Sequence, residues 1–215
     1  MKDIRIVKAN KDLDEKIIES CAAIVTDAFE KEGVSSYVYN FSKENAKKRY
    51  FNQSVNLMKS HLASGNLTLL ALKDKDVVGV AVLNKNLKLP VMERLKGLRL
   101  MIPTFLPVLT IINFRKALSA RNAFKLSHKI TSNYYTLFAI AVHPDYHGQG
   151  IGKMLLKQIG EIVDSTPGVS GVYLFTADEK NKELYEKYNY KTIEETSGGG
   201  LKIYHMFNNS LGREA

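Results

Sequence analysis

In the run "DIRIVKA" apolar and polar residues alternate, with Ile4, Ile6 and Lys8 on one side, which predicts a short first strand. From Asp12 to Lys31 the spacing changes. Ile17, Ile18, Cys21, Ala22, Ile24, Val25, Ala28 and Phe29 recur at helical intervals, with Gly33 as the expected stop. A second amphipathic helix is expected from Ser42 to Gly65. "LTLLALKDKDVVGVAVLNK" reads as two strands around Lys73-Asp74-Lys75-Asp76, an antiparallel hairpin. The segment 86–132 has helical composition interrupted by Pro90, Pro103 and Pro107. "SNYYTLFAIAVHP" is then a strand, and residues 150–164 a helix with Ile151, Leu155, Ile159 and Ile162 on one face. The strand "GVSGVYLFTA", the helix "DEKNKELYEKYN" and the strands "YKTIEE" and "LKIYHMF" follow, the last two joined through Ser197-Gly198-Gly199-Gly200. Strands and helices mixed in this order give an α/β (α+β) fold, expected as one domain over 1–215 with 86–132 inserted in it.

Composition changes this picture in two places. A single cysteine, Cys21, precludes a disulfide within the chain and suits a reducing cytoplasm; it reads as a core residue. The start has no apolar segment of signal-peptide length. The longest uncharged run, Leu100 to Phe114, is too short for a bilayer and holds two prolines, so stable membrane insertion is not expected. The net charge is +9, and its placement is more informative. Between Lys85 and Ile130 stand ten Lys or Arg and one acid, Glu93, whereas the remainder balances at 21 of each sign. Such a patch fits an anionic partner, a membrane surface, cofactor phosphates, or simply a solvated helix face. Few aromatics accompany it, which disfavours nucleic acid.

The densest chemistry lies in "HPDYHGQGIGKMLLKQIGEIV". Glycines at 148, 150 and 152 run into a helix, where unpaired N–H groups and the helix dipole favour an anion. A P-loop would need glycine at 147 and Ser or Thr at 154; the chain has His147 and Met154. A dinucleotide fingerprint would place its third glycine one residue later. Both fail, and a pyrophosphate remains the expected guest.

"IAVHPDYHGQGIGKMLL" closely resembles the signature of the GNAT superfamily of acyl-CoA-dependent N-acetyltransferases, a strand ending hydrophobic-x-V-x-P followed by Gln/Arg-x-x-Gly-x-Gly/Ala. The order of elements agrees along nearly the whole chain. "NKELYEKYNY" resembles the family's N-x-x-x-Y-x-x-x-G-F segment, with Asn189 for glycine and Tyr190 for phenylalanine. His147 departs from the usual Gln or Arg. A histidine still donates to phosphate, and that contact weakens as pH rises.

The resemblance implies a mixed sheet splayed open beside the signature strand, with acetyl-CoA, as co-substrate, in the wedge. The backbone near Ala141 and Val142 would pair with the pantetheine arm. His147, Gly148, Gln149, Gly150, Ile151 and Gly152 would cradle the pyrophosphate, with Lys153 in the first helical turn and Asn181 on the cofactor arm. It further implies direct acetyl transfer to a primary amine, with Val142 N–H receiving the oxyanion and Tyr185 protonating the leaving thiolate. For the general base, Asp27, Glu30, His128, Tyr134 and Tyr135 are all candidates. Glu194 and Glu195 point to opposite faces of a strand and make no catalytic pair. His143 and His147 bracket a proline-led loop, and no metal site is expected.

"TDAF" and "YYTLFAIAVHP" around a long insertion resemble the puromycin-acetyltransferase-like branch, which acts on small-molecule amines. Met92, Leu95, Leu98, Leu100, Met101, Phe105 and Leu109 would line or lid the acceptor pocket, or pack the insertion onto the domain. The basic insertion predicts an acceptor that is neutral, apolar or anionic apart from its amine. A non-catalytic acyl-CoA-binding module and a protein or peptide amine acetyltransferase are the alternatives. Strand edges permit a monomer or a homodimer.

Overall fold

A computed structural model describes residues 4–86, 103–130 and 133–209. Seven strands form one sheet: β1 (Ile4–Lys8), β2 (Leu67–Lys73), β3 (Asp76–Asn86), β4 (Asn133–Val142), β5 (Val169–Thr176), β6 (Lys191–Gly198) and β7 (Leu201–Asn209). Their order is β1-β2-β3-β4-β5-β7-β6, antiparallel everywhere except between β4 and β5. The helices are α1 (Glu15–Phe29), α2 (Gly33–Val38), α3 (Ala46–Ala63), α4 (Phe114–Ser119), α5 (Ile151–Asp164) and α6 (Glu179–Glu186). The mixed sheet flanked by helices is the expected class.

Local chemistry fixes several ends. Asp14 caps α1 by accepting from Lys16 N–H at 2.8 Å. Gly33 does not stop a helix, as the sequence suggested. It opens α2, because Glu32 accepts from Val34 and Ser35 N–H, both at 2.9 Å, and so caps a new helix. Ser42 likewise does not cap α3; the chain first turns through Asn45 at φ 58° and starts the helix at Ala46. The hairpin turn narrows to Asp74-Lys75 with Asp74 at φ 55°, a conformation that Asp tolerates better than most residues. The turn between β6 and β7 shortens to Gly199-Gly200, since Ser197 and Gly198 are already in β6.

The sheet's two faces are covered differently. On one, α5 lays Ile151, Leu155, Ile159 and Val163 on Tyr135, Leu137, Val172, Leu174 and Met206. Ile162, expected on this stripe, is only half-buried, and Val163 takes the inner place. On the other face, Ile18, Cys21 and Ile24 of α1 with Met58 and Leu62 of α3 cover Leu70, Val80, Val82, Ala139 and Ala141. Further along that face, Ala120 and Ala123 pack on Leu201 and Ile203 of β7. The described part of the insertion, 103–130, thus reaches the far side of the sheet. Thr196 and the fully buried His205 both bond Ala123 C=O there, and Glu194 accepts from Ser127 N–H at 2.9 Å. No helix among the described residues is long and apolar enough to cross a membrane.

Candidate active site

Pairing between β4 and β5 covers only their first residues: Asn133 faces Val169, Tyr135 faces Val172 and Thr136 faces Tyr173. Beyond Thr136 the strands part, which leaves the end of β4 with one neighbour, β3. Register decides which backbone groups face the gap. His143 N–H donates to Val78 C=O at 2.9 Å. Antiparallel residues alternate between hydrogen-bonded and non-bonded pairs. Ala141, opposite Val80, therefore turns its backbone to β3, while Ile140 and Val142 turn theirs to the gap. Of the two strand residues named from sequence, Val142 lies on the open edge, and Ala141 holds it from behind. A bulge sets this phase: Ala139 faces Val82 but Leu137 faces Leu83, so Phe138 is an extra residue.

The glycine loop follows. Pro144–Tyr146 forms a single helical turn, and His147 turns back over the strand end, its Nε2 donating to Val142 C=O at 2.9 Å. That carbonyl is one of the gap-facing groups, so the histidine side chain is tied to the strand and is not extended over the loop. Gly148 and Gly150 stand at φ 75° and 77°, where a side chain would be strained, and a Cβ on either would meet nothing within 4 Å. α5 begins at Ile151 with no side-chain cap; its first intrahelical bond at this end joins Met154 N–H to Gly150 C=O at 3.0 Å. The N–H groups of Ile151, Gly152 and Lys153 have no acceptor within the helix. A cluster of uncapped donors beside empty space suits a pyrophosphate, and the parted strand edge suits an extended arm. Gln149 and the Lys153 side chain are exposed.

α6 follows β5 and stands beside β5 and β6. Asp178 caps it by accepting from Lys180 and Asn181 N–H at 2.8 and 3.2 Å. Tyr185, two turns in, packs against the core, with its ring 5.6 Å from that of Tyr190 in an edge-on contact. Burial pushes its phenol up to about 12, helped by the negative charge of Glu32, so it keeps its proton at any physiological pH. Glu32 escaped the sequence reading. Its signal was the acid immediately before Gly33, where a helix end was expected instead of a cap. The α1–α2 turn reaches β5: a Cβ on Gly33 would stand 3.1 Å from that of Ala177.

The candidate bases scatter. Asp27 and Glu30 share Lys47, at 2.8 and 3.1 Å, on the outside of α1 and α3. Tyr135 is buried under α5, and His128 is exposed on the insertion. Tyr134 projects from β4 on the face opposite α5, with its ring 6.0 Å from that of Tyr173. Cys21 is fully buried and its thiol is pushed up to about 12 by burial, which fits packing and not nucleophilic use. Of the expected pocket residues, Phe105 and Leu109 are 41% and 44% exposed; Met92, Leu95, Leu98, Leu100 and Met101 lie outside the described residues.

A parted β4–β5 pair with a glycine loop and an uncapped helix at its mouth is the arrangement that the resemblance to acyl-CoA-dependent acyltransferases implies. Residues 122–192 match the family model described as Acetyltransferase (GNAT) domain. That match spans the glycine loop, the helix behind it and α6, about a third of the chain. Solved structures share the fold at low identity. One, described as histone acetyltransferase HPA2 and related acetyltransferase from Corynebacterium glutamicum, is 13% identical, with 99% of each chain covered and a TM-score of 0.65. Arabidopsis thaliana NAA60 in complex with acetyl-CoA is 13% identical, covering 96% of this chain and 98% of that one, with a TM-score of 0.57. The PaiA N-acetyltransferase of Thermoplasma acidophilum in complex with coenzyme A is 16% identical, covering 95% and 99%, with a TM-score of 0.56. No curated protein sequence matches the chain.

Proposed function

We propose that the protein moves the acetyl group of acetyl-CoA directly onto the primary amine of a small molecule in the cytoplasm. The observation that carries this reading is the open edge of β4, with Val142 N–H turned into a gap whose mouth is lined by uncapped helix donors. In this reading the backbone of residues 147–152 holds the pyrophosphate and Ile140 and Val142 pair with the pantetheine arm. Lys153 and Asn181 contact the cofactor from the first turns of α5 and α6. A gap-facing N–H of β4 that the pantetheine arm leaves free stabilises the oxyanion as the amine adds to the thioester carbonyl. Tyr185 donates its proton to the departing thiolate; burial keeps that proton in place at neutral pH, although it also makes the phenol a weaker acid. His147 contributes through its backbone and through its grip on Val142. The chemistry needs one active site per chain and is compatible with a monomer or a homodimer.

The test is thiol release from acetyl-CoA across a panel of small primary amines, with acetyl-CoA thermal shift run in parallel. Release with at least one amine, together with a shift, supports the reading. A shift without release from any small amine removes the small-molecule assignment. The Corynebacterium glutamicum neighbour's description as a histone acetyltransferase adds a histone peptide to the panel.

A further inference from the structure

Two large aromatic side chains stand exposed in the middle of the sheet, where strands are normally covered on both faces. Phe138 on β4 is 44% exposed and Phe175 on β5 is 42% exposed. Both lie two residues beyond the last β4–β5 rung, Thr136–Tyr173, one on each side of the opening. Residues of Phe175's parity on β5 lie on the face opposite α5, since Val172 and Leu174 fill the α5 side. The helices α1 and α3 cover that face over β2 to β4, and the 120–124 turn covers it over β7. Between them, no helix among the described residues covers the face, and aromatic rings continue along the trough so left. Tyr134 and Tyr173 are 6.0 Å apart, Tyr173 and Phe175 6.5 Å, and Phe175 meets Phe124 of the insertion edge-on at 5.7 Å.

We propose that this trough holds the acceptor, and that the acceptor is a primary amine carrying an aromatic ring on a short chain. The proposal rests on the acyltransfer reading and adds the substrate class to it. Aromatic walls of this kind favour a planar ring through edge-on and offset contacts beyond what apolar area provides. The trough begins where β4 and β5 part, so a ring seated on Phe138 and Phe175 lies beside the start of the open β4 edge, two residues before the gap-facing Ile140. At the β5 end, Ala177 abuts Gly33, and Glu32 next to it offers a carboxylate to the incoming ammonium. The histidines bordering the trough add no positive charge at neutral pH. His61, whose ring lies 5.0 Å from that of Phe138, is held near 4 by burial, and burial also lowers His205. Polycationic amines gain nothing from such walls and meet the basic insertion at the rim.

The test compares 2-phenylethylamine, 2-cyclohexylethylamine, butylamine and spermidine as acceptors, for the wild type and for Phe138→Ala, Phe175→Ala and the corresponding leucine variants. Expected is a kcat/KM for 2-phenylethylamine at least about tenfold above the other three, from two aromatic contacts of ordinary strength. Either alanine variant lowers it about tenfold through KM, the leucine variants lower it severalfold, and the acetyl-CoA thermal shift is unchanged in all. Equal use of the phenyl and cyclohexyl amines, or preference for butylamine or spermidine, overturns the aromatic assignment while leaving acyltransfer standing. Phenylethylamine kinetics unmoved in folded variants place the acceptor elsewhere and also overturn it. Release from none of the four amines, with acetyl-CoA bound, overturns the aromatic assignment, and the wider amine panel then decides separately whether the small-molecule reading stands.

Discussion

The two faces of the central sheet obey opposite rules. Under α5 every apolar position is filled, and Ile151, Leu155 and Ile159 are essentially inaccessible to solvent. Gly79 illustrates the density, since a Cβ there would come within 2.9 Å of Ile151 Cγ2 and 3.3 Å of Ala141 C=O. Across the sheet, over β4 and β5, two phenylalanines lie open, and the glycines of the adjoining loop have empty space around them. The packed face fixes the start of α5 against β3 and β4. The open face and the parted strands then leave a rigidly framed gap, which is what a site for two substrates requires.

The contrast breaks first at Leu155. Truncation to alanine leaves a cavity in the filled face and is expected to cost about 3–4 kcal/mol, whereas Phe138→Ala on the open face costs under about 1 kcal/mol. Urea denaturation of both variants checks this, and similar losses would erase the distinction between faces. Next comes His61, which borders the open face but is itself buried, with neither ring nitrogen hydrogen-bonded among the described residues. Burial lowers it from 6.5 to about 4, so the unfolded chain takes up a proton that the native state refuses. Its contribution is intact above pH 6.5 and is lost as pH falls towards 4, by about 3 kcal/mol at 1.36 kcal/mol per pH unit. Denaturation midpoints measured between pH 7 and 4 should flatten over this window in His61→Leu.

Much of this was legible in the chain because periodicity reports on burial one element at a time. The order of elements along the chain, the hairpin and all but one position of the α5 stripe follow from spacing, and the glycine loop follows from residue type. What escaped depends on contacts between distant segments. Gly33 looks like a stop until Glu32 is seen capping the next helix. Ala141 and Val142 look equivalent until the bulge at Phe138 sets which of them faces the gap. His147 reads as a phosphate donor until its ring is found on Val142 C=O. The aromatic trough joins β4, β5 and the insertion, and none of these segments announces it alone.

Smaller effects probe the site directly. Tyr185→Phe is expected to lower kcat about a hundredfold at constant acetyl-CoA affinity, the usual scale for one general acid. Because the phenol is raised to about 12, the wild type should show no alkaline loss of kcat from this group below about pH 11. A Phe variant with full turnover would remove the tyrosine from the chemistry. Gly150→Ala, forced to hold φ 77°, should cost about 1–2 kcal/mol, read as weaker acetyl-CoA binding from a distorted loop.

The central claim is that β4 offers the backbone of Ile140 and Val142, and not that of Ala141, to the bound cofactor. Amide hydrogen exchange resolved by residue tests it most directly. Without ligand, Ala141 should exchange slowly through its pairing with β3, while Ile140 and Val142 exchange fast. Saturating coenzyme A should slow Ile140 and Val142 by at least about tenfold and leave Ala141 unchanged. Protection of Ala141 instead, or no change in any of the three while coenzyme A is demonstrably bound, would contradict the account.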